Sequence, residues 1–362
     1  MAKKLMKGCE AIGEAAVQAG CKLFFGYPIT PQNEIPEYMS HRLPQVGGTF
    51  VQAESEVAAS NMLYGAAGSG ERVFTSSSSP GISLMAEAIS YMAGSELPAV
   101  IVNIMRAGPG LGGILPSQGD YFQATKGGGH GDYRVLVLAP WSVQEAADLV
   151  QDAFDLADYY RNPVMILGDG LIGQMMEPVE FKQGRQPCKV LSPKTWAATG
   201  CSGDRPTNIV NSLFLDPEVL ERHNRKLQAK YDTMIRDEIR CAGYGLDQPY
   251  DVLLVAYGTV ARVCSTAMED LHREGIGVGL MRPVSLFPFP YAAVRAAAEK
   301  ARAVLVVELS CGQMIEDVRL ALEGTRPLHF YGRQGGMLAS PEDVAGKVRE
   351  LMRGVTKEVS RA

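Results

Sequence analysis

The sequence lacks the closely spaced cysteines that metal centres usually need. It has seven cysteines in 362 residues, and no two are arranged as C-x-x-C. Zinc and iron–sulfur sites usually take at least two ligands from one short stretch. We therefore predict free, buried thiols and no metal site on this chain. If the chemistry requires electron transfer, its iron–sulfur clusters must lie on another chain.

Three other absences narrow the class of protein. Glu10 and Glu14 interrupt the N-terminal apolar residues at helical spacing, so the stretch that a signal peptide needs is missing. No run approaches the roughly 18–20 apolar residues of a membrane span. The net charge is -5 and there is no basic block, which argues against nucleic-acid binding. These features predict a cytoplasmic protein without membrane or nucleic-acid partners.

The first half of the chain alternates strand and helix patterns. Apolar runs of five to eight residues, such as "PAVIVNIM" and "NPVMILGD", are separated by helical stretches such as "SEVAASNMLYGAAGSG". Continuous apolar strands between helices are typical of a doubly wound parallel sheet in an α/β protein. The length of 362 residues allows two domains, possibly three.

Residues 190–250 break this alternation. Asp216 and Pro217 begin a long charged helix, with aspartate as the cap and proline at the first position. The apolar members of this helix form a narrow stripe, which suits a crossing helix or a partner contact: Val219, Leu220, Leu227, Tyr231 and Met234. A second α/β unit begins at 251. We expect a first domain at 1–240, with a linker and crossing helix at about 190–250, and a second domain at 251–362.

Three glycine-rich motifs are weak on their own. "GPGLGG" at 108–113 fits a dinucleotide fingerprint, but Pro116 follows instead of a helix, which favours a flexible active-site loop. "GDG" at 168–170 lacks the paired asparagines of a thiamine diphosphate signature, so Asp169 is interpreted as a turn residue. His130 lies among glycines, where a proton shuttle, a ligand contact and a chance surface position all remain open.

Polar side chains follow several of the predicted strands. Gly26, Pro28 and Pro31 exclude regular structure after "LFF", where Tyr27 and Thr30 are presented. Glu56 starts a helix rich in small residues, either as a simple cap or as a functional carboxylate. Arg106 follows "VIVNIM", and arginine can hold a carboxylate through two hydrogen bonds. Open α/β proteins bind ligands at this edge of the sheet.

Taken together, the motifs resemble those of a known family. "GYPITP", "QAESEVAA", "TSSSSPG", "VNIMRAGPG" and "ATKGGGHGDYR", continued by "VAYGT", "LMRPVSLFPFP" and "ELSCGQMIEDVR", are similar to the α subunit of the 2-oxoacid:ferredoxin oxidoreductases. The resemblance covers nearly the whole chain. It implies a pyrimidine-binding domain for thiamine diphosphate, followed by a domain like the C-terminal domain of transketolase.

The resemblance also implies roles for individual residues. Glu56 matches the glutamate that activates the cofactor by hydrogen-bonding its pyrimidine nitrogen, although Glu54 lies two residues away and only the match to "SEVAA" selects Glu56. Thr30 and Arg106 match substrate-binding residues, and Tyr27 lines the same pocket. Pro28 and Ile29 are expected to contact the cofactor.

The function implied is oxidative decarboxylation of a 2-oxo acid to an acyl-coenzyme A, with electrons passing to ferredoxin. The expected substrate is branched, 3-methyl-2-oxobutanoate, with 2-oxoglutarate and pyruvate as alternatives. A β subunit would supply the diphosphate-binding domain, Mg²⁺ and a [4Fe-4S] cluster, with γ and ferredoxin-like δ subunits beside it. A non-catalytic scaffold of the same fold, and a self-contained enzyme resembling transketolase, are the other interpretations.

Overall fold

The structure is a computed structural model, and it describes residues 3–182, 184–201, 203 and 205–359. The strands are β1 (Lys4–Lys7), β2 (Leu23–Gly26), β3 (Thr49–Gln52), β4 (Val73–Ser77), β5 (Ala99–Met105), β6 (Leu136–Leu138), β7 (Pro163–Asp169), β8 (Met176–Val179), β9 (Cys241–Tyr244), β10 (Val252–Val255), β11 (Val278–Pro283), β12 (Ser285–Phe287), β13 (Ala303–Glu308) and β14 (Leu328–Gly332). The helices are α1 (Gly8–Gln18), α2 (Glu34–Gln45), α3 (Glu56–Gly68), α4 (Pro80–Gly94), α5 (Tyr121–Thr125), α6 (Val143–Tyr160), α7 (Gly170–Gln174), α8 (Pro217–Asp237), α9 (Gly258–Arg273), α10 (Tyr291–Ala298), α11 (Met314–Leu322) and α12 (Pro341–Val359).

The first half of the chain builds a seven-stranded sheet in the order β12-β6-β7-β5-β4-β2-β3. Its strands are parallel except for β12, which pairs antiparallel with β6. Every residue of β5 and β7 is buried, because helices cover both faces of the sheet. The predicted doubly wound parallel α/β fold is confirmed.

The second half builds a five-stranded sheet in the order β14-β13-β10-β11-β9. Four of its strands are parallel and β9 is antiparallel to β11. Strand β9 precedes residue 251 and nevertheless belongs to this sheet. Strand β12 lies after residue 251 and nevertheless belongs to the first sheet. Each sheet therefore contains one strand from the other side of the predicted domain boundary.

Buried polar groups also join the two halves. Asp169 caps α7 by accepting hydrogen bonds from the N–H groups of Leu171 and Ile172, and it accepts another from the Thr259 hydroxyl at 2.7 Å. Gln118 is fully buried and donates to the carbonyl of Tyr257 at 2.9 Å. Asp169, predicted to be a turn residue, is the last residue of β7 and the cap of α7, and it is also a contact between the halves.

Helix α2 and strand β3 were not predicted. Helix α2 contains Pro36 and Pro44, which read as breakers in the sequence. Pro36 lies in the first turn, where its missing N–H has no helical partner to lose, and Pro44 lies one residue before the last. Strand β3 is four residues long at the edge of the sheet, too short to give a clear pattern.

The long helix α8 crosses the first half of the chain. Asp216 caps it by accepting from the N–H of Glu218 at 2.8 Å, and Pro217 occupies its first position, as predicted. Three residues of the predicted stripe are buried, namely Leu227, Tyr231 and Met234. Val219 is half-buried and Leu220 is exposed. The lower part of the stripe therefore packs within this chain, which agrees with a crossing helix.

The prediction of buried thiols holds for only some of the cysteines. All seven are free thiols; three are buried and four are exposed. The buried thiols are Cys9, Cys21 and Cys264, and the exposed thiols are Cys188, Cys201, Cys241 and Cys311. The prediction was wrong for these four, because composition carries no information on which cysteines fall at the surface; Cys241, for example, begins the edge strand β9.

Arg72 links α6 to the end of α1 through a largely buried ion-pair network. Its guanidinium donates to Asp155 at 2.7 Å, to Asp158 at 2.8 Å and to the carbonyl of Ala19. The Asp155 side chain is only 1% exposed. Burial alone would raise the pKa of Asp155, but hydrogen bonds from Arg185 and Arg72 outweigh burial and lower it. The folded structure therefore stabilises the ionised form of the Asp155 side chain.

We expect Arg72→Met to lower the free energy of unfolding by about 3 kcal/mol at pH 7, because it leaves a buried carboxylate short of a partner. The lowered pKa of Asp155 means that its contribution is present above the unfolded value of about 4 and is lost as the pH falls through the folded value. The difference between wild type and variant should therefore shrink below about pH 4. Urea unfolding measured between pH 3 and pH 8 checks both points.

Arg225→Met is the matched control. Arg225 pairs with Glu221 on the surface of α8, where the two side chains are 75% and 63% exposed. Solvent screening leaves such pairs little net effect. An equal loss of stability in the two variants would contradict the role given to the Arg72 network.

Candidate functional site

The candidate site lies at the carboxyl edge of the first sheet, where β5, β4 and β2 are neighbours. The loop after β2 contains residues 27–33, the loop after β4 leads into α4, and the loop after β5 contains residues 106–120. Because parallel strands end at the same edge, these three loops converge. The start of α3 joins them through β3, which pairs with β2.

Glu56 is buried at the first turn of α3, with 6% of its surface exposed. Ser55 caps the helix by accepting from the N–H of Ala58 at 3.2 Å, so Glu56 is not needed as the cap. The Glu56 carboxylate accepts no side-chain hydrogen bond from any residue that the structure describes. Glu54, the alternative carboxylate, is exposed. Burial thus separates the two carboxylates that the sequence left nearly equivalent.

Gly81 forms the wall opposite Glu56, in the first turn of α4. A Cβ atom at this position would lie 2.6 Å from Oε1 of Glu56 and 2.0 Å from Oγ of Ser77. Both distances are shorter than any real Cβ contact, so only glycine fits between these two oxygens. Sequence analysis did not single out Gly81 or Ser77, although both belong to the quoted motif "TSSSSPG".

Arg106 joins two of the loops through its guanidinium. Nη1 donates to the carbonyl of Thr30 at 3.0 Å, and Nη2 donates to the carbonyl of Leu111 at 3.2 Å. The residue is 7% exposed, and its buried Nε finds no partner in the described part of the chain. The structure therefore brings Arg106 and Thr30 into direct contact, and it places "GPGLGG" as a loop at the same site.

The rest of the "GYPITP" loop lies at the rim of the site. Tyr27 and Pro28 are exposed, whereas Ile29 and Thr30 are half-buried. The Thr30 hydroxyl accepts a hydrogen bond from the side-chain amide of Asn33 at 3.3 Å. The loop residues predicted to contact substrate and cofactor are therefore at least partly exposed at the carboxyl edge of the sheet.

Buried polar side chains hold this loop from below. Gln32 is fully buried, donates to the carbonyl of Tyr27 at 3.3 Å and accepts from the Ser76 hydroxyl at 2.5 Å. The Thr75 hydroxyl donates to the carbonyl of Phe25 at 2.6 Å. Sequence analysis did not predict a role for these residues. The pattern that could have indicated it is the run of hydroxyl residues at the end of the buried strand β4.

A further carboxylate, Asp120, is half-buried at the end of the loop after β5. It accepts hydrogen bonds from the Ser79 hydroxyl at 2.6 Å and from the side-chain amide of Asn103 at 2.9 Å. Burial raises the pKa of Asp120, and these two hydrogen bonds oppose the rise. Nothing in the sequence pattern singled out this residue.

The structure does not bring His130 to the site. Its ring is exposed and packs edge-to-face on Tyr91, with ring centroids 5.8 Å apart. Tyr91 lies in α4 about 15 Å along the helix from Gly81, at 1.5 Å per residue. A role for His130 as a proton shuttle at Glu56 is therefore not supported by its position.

The polar atoms around Glu56 fit a heterocyclic ring with ring nitrogens and an amino group. The Glu56 carboxylate and the hydroxyls of Ser77 and Ser78 are buried, yet the two hydroxyls have no partner within the described residues. A buried polar atom without a partner costs about 1–3 kcal/mol. The site is thus prepared for an outside group that offers both donors and acceptors. The pyrimidine of thiamine diphosphate is such a group.

The described residues include neither a metal-binding cluster nor a membrane-spanning helix. In residues 3–182, 184–201, 203 and 205–359, no group of three or more His, Cys, Asp and Glu side chains is placed to hold a metal ion. None of the described helices combines the length and the apolar composition needed to cross a membrane.

The family models identify the class of protein as an oxidoreductase with a thiamine diphosphate-binding domain. Residues 14–236 match the family model described as pyruvate flavodoxin/ferredoxin oxidoreductase, thiamine diphosphate-binding, and residues 250–344 match pyruvate:ferredoxin oxidoreductase core domain II. The chain belongs to the 2-oxoacid:ferredoxin oxidoreductase family of thiamine diphosphate enzymes. The predicted family is confirmed.

Curated relatives cover nearly the full length of this chain. The ketoisovalerate oxidoreductase subunit VorB of Methanothermobacter thermautotrophicus is 50% identical over 97% of this chain and 98% of its own. The 2-oxoglutarate synthase subunit KorA of Archaeoglobus fulgidus is 38% identical over 92% of this chain and 95% of its own. Both relatives are named as subunits of larger enzymes.

A solved relative has the same fold. The 2-oxoglutarate:ferredoxin oxidoreductase from Magnetococcus marinus, solved with 2-oxoglutarate, coenzyme A and succinyl-CoA bound, gives a TM-score of 0.86 at 26% identity. The match covers 96% of this chain and 65% of that longer chain. A split-gene transketolase, with a TM-score of 0.56 at 15% identity, shares the fold alone.

Gly81→Ala should abolish thiamine diphosphate binding while the protein remains folded. The added Cβ would displace the Glu56 carboxylate and the Ser77 hydroxyl, which lie 2.6 and 2.0 Å from its position. Isothermal titration with thiamine diphosphate measures the loss of binding, and circular dichroism measures the fold.

Gly346→Ala provides the control for this change. Gly346 lies inside α12, and an added Cβ there meets no atom within 4 Å. Alanine in a helix interior is tolerated or slightly stabilising. Unchanged cofactor binding in Gly81→Ala would show that the space between Ser77 and Glu56 is not part of the cofactor site.

Proposed function

We propose that this chain is the α subunit of an enzyme that oxidatively decarboxylates a 2-oxo acid to an acyl-coenzyme A, with ferredoxin as electron acceptor. The observation that carries the proposal is the convergence of a buried, unpartnered Glu56 with Arg106 and Thr30 at one sheet edge. Residues 1–240 carry this site, and residues 251–362 form the second unit. The chain works in the cytoplasm.

When bound, thiamine diphosphate supplies the electron-accepting centre at which the bond to the departing carboxylate breaks. Glu56 would hold the pyrimidine ring nitrogen, and Pro28 and Ile29 would contact the ring from the loop above. The first turn of α3 favours a negative charge on Glu56, because the free N–H groups of the helix start point towards it. The Glu56 carboxylate would thereby stabilise a proton at the pyrimidine nitrogen.

Arg106, Thr30 and Tyr27 would hold the 2-oxo acid. The Arg106 guanidinium is buried with its Nε unpaired, so a substrate carboxylate can complete its hydrogen bonding. Two of its nitrogens are already fixed by the carbonyls of Thr30 and Leu111. A fixed cation loses little conformational freedom when the anion arrives, which favours binding.

The branched substrate 3-methyl-2-oxobutanoate fits the comparisons best. The relatives named for ketoisovalerate are 49–50% identical to this chain, whereas those named for 2-oxoglutarate are 34–38% identical and one named for pyruvate is 27% identical. A branched apolar substrate also needs no second cation. The 2-oxoglutarate and pyruvate enzymes remain the alternatives within the family.

The chain requires partner subunits for activity. We propose a β subunit that supplies the diphosphate-binding domain, Mg²⁺ and a [4Fe-4S] cluster, with γ and ferredoxin-like δ subunits completing the electron path. Coenzyme A is the acyl acceptor. The polar atoms left unpaired around Glu56 support this arrangement, since the remaining walls of the site must come from elsewhere.

The test is coenzyme-A-dependent viologen reduction by the intact complex, across a panel of 2-oxo acids. The wild-type complex should turn over 3-methyl-2-oxobutanoate with a higher kcat/KM than 2-oxoglutarate or pyruvate. Glu56→Gln should lower kcat by orders of magnitude, because a neutral amide cannot stabilise the protonated pyrimidine.

Glu54→Gln is the matched control, since it changes an exposed carboxylate two residues away. It should leave kcat nearly unchanged. Normal turnover in Glu56→Gln together with an inactive Glu54→Gln would show that the wrong carboxylate was chosen. Full activity of this chain without partners would contradict the proposed assembly.

Arg106→Ala and Thr30→Val should lower kcat/KM by different amounts. Losing the buried charge partner of the substrate carboxylate costs about 2–5 kcal/mol. Thr30→Val keeps the β-branched shape and removes one hydroxyl, which costs about 0.5–1.5 kcal/mol. Thiamine diphosphate affinity should stay close to wild type in both variants. A loss of cofactor affinity as large as the loss in kcat/KM would assign the loop to the cofactor instead.

A further inference from the structure

Asp120 precedes helix α5 but does not cap it. Its carboxylate accepts no hydrogen bond from the N–H groups of this helix, all of which the structure describes. The N–H of Phe122 donates instead to Oε1 of Gln313, from the second half of the chain, at 2.8 Å. Aspartate at this position normally satisfies such a donor itself. Gln313 thus leaves the Asp120 carboxylate free to point elsewhere.

The carboxylate closes a ring of hydrogen bonds with two residues of the sheet edge. Oδ2 of Asp120 accepts from the Ser79 hydroxyl at 2.6 Å and from Nδ2 of Asn103 at 2.9 Å. Oδ1 of Asn103 accepts from the backbone N–H of Ser79 at 3.1 Å. Three side chains on β5, on the turn before α4 and on the turn before α5 therefore fix one another.

Ser79 connects this ring to the backbone of Arg106. The Arg106 N–H donates to Oγ of Ser79 at 3.0 Å, and the Arg106 carbonyl lies 3.2 Å from the same Oγ. The single hydroxyl hydrogen of Ser79 can go to the Arg106 carbonyl or to Asp120. The carboxylate oxygen is closer, at 2.6 Å against 3.2 Å for the carbonyl, so it takes the hydrogen. A lone pair of Oγ then remains directed at the Arg106 N–H.

We propose that Asp120 is a positioning residue for Arg106, acting through the hydroxyl of Ser79. The inference rests on the proposed function, in which Arg106 holds the substrate carboxylate. Asp120 fixes the backbone of Arg106, while the carbonyls of Thr30 and Leu111 fix its guanidinium. The arginine is thereby held at both ends before the substrate binds.

Replacing the Asp120 carboxylate should loosen the backbone of Arg106 and leave the contacts of its guanidinium in place. In Asp120→Ala, the Ser79 hydroxyl turns to the Arg106 carbonyl and the support for the Arg106 N–H weakens. We expect KM for the 2-oxo acid to rise about 5- to 10-fold, the size of one lost hydrogen bond, with kcat within about twofold of wild type. Asp120→Asn retains an oxygen acceptor for Ser79 and Asn103, so it should restore KM to near the wild-type value.

The experiment measures KM and kcat of the intact complex for Asp120→Ala, Asp120→Asn, Arg106→Ala and the double variant Asp120→Ala/Arg106→Ala. Because Asp120 acts through Arg106, the double variant should be no worse than Arg106→Ala alone. A general loss of structure would instead add to the effect of Arg106→Ala. Asp216→Ala removes an aspartate cap at α8 and should leave KM unchanged.

Three results would overturn the inference while leaving the proposed function intact. The first two are an unchanged KM in Asp120→Ala and additive losses in the double variant. An Asp120→Asn variant as impaired as Asp120→Ala would also overturn it, since the acceptor geometry is then not what matters. An unchanged KM in Arg106→Ala would contradict the substrate contact itself and the inference with it.

Discussion

The site depends on the guanidinium of Arg106, which bridges the loops that follow two strands of one sheet. The carbonyls of Thr30 and Leu111 lie in loops, beyond the ends of β2 and β5, so neither takes part in the hydrogen bonding of the sheet. One buried cation satisfies both, and it also places a positive charge where the loops meet. The geometry of the candidate site and its positive charge therefore have the same physical origin.

The floor of the site shows how a parallel sheet can carry polar groups at its edge. Strand β4 is buried at every position, yet it ends in Thr75, Ser76 and Ser77. Thr75 and Ser76 are satisfied by the chain itself, whereas the hydroxyls of Ser77 and Ser78 are not. The satisfied hydroxyls hold the loop above in place. The Ser77 hydroxyl lies near Glu56, since both flank the Cβ position of Gly81. The division between satisfied and unsatisfied hydroxyls therefore falls between the adjacent residues Ser76 and Ser77.

Sequence reasoning predicted the sheet and the proximity of Thr30 and Arg106, because continuous apolar strands and the residues that follow them can be read directly. The roles given to Thr30, Glu56 and Arg106 stay predictions. Sequence reasoning could not assign Gly81, since the need for glycine comes from the Ser77 and Glu56 oxygens on either side, a contact set by the tertiary fold. Helix α2 was hidden by its prolines. The pairing of β12 with the first sheet was equally hidden, because a three-residue strand carries no pattern that names its neighbour.

The unpaired atoms also explain why the fold can be complete while the site is not. Gln118, Asp169 and Glu308 are buried polar groups too, and each is fully engaged by partners from its own chain. The chain therefore has the means to satisfy a buried polar group where stability requires it. Around Glu56 it does not do so, although each unpaired buried atom costs about 1–3 kcal/mol. That cost is recovered only when another molecule supplies the missing donors and acceptors, which couples formation of the complete site to binding.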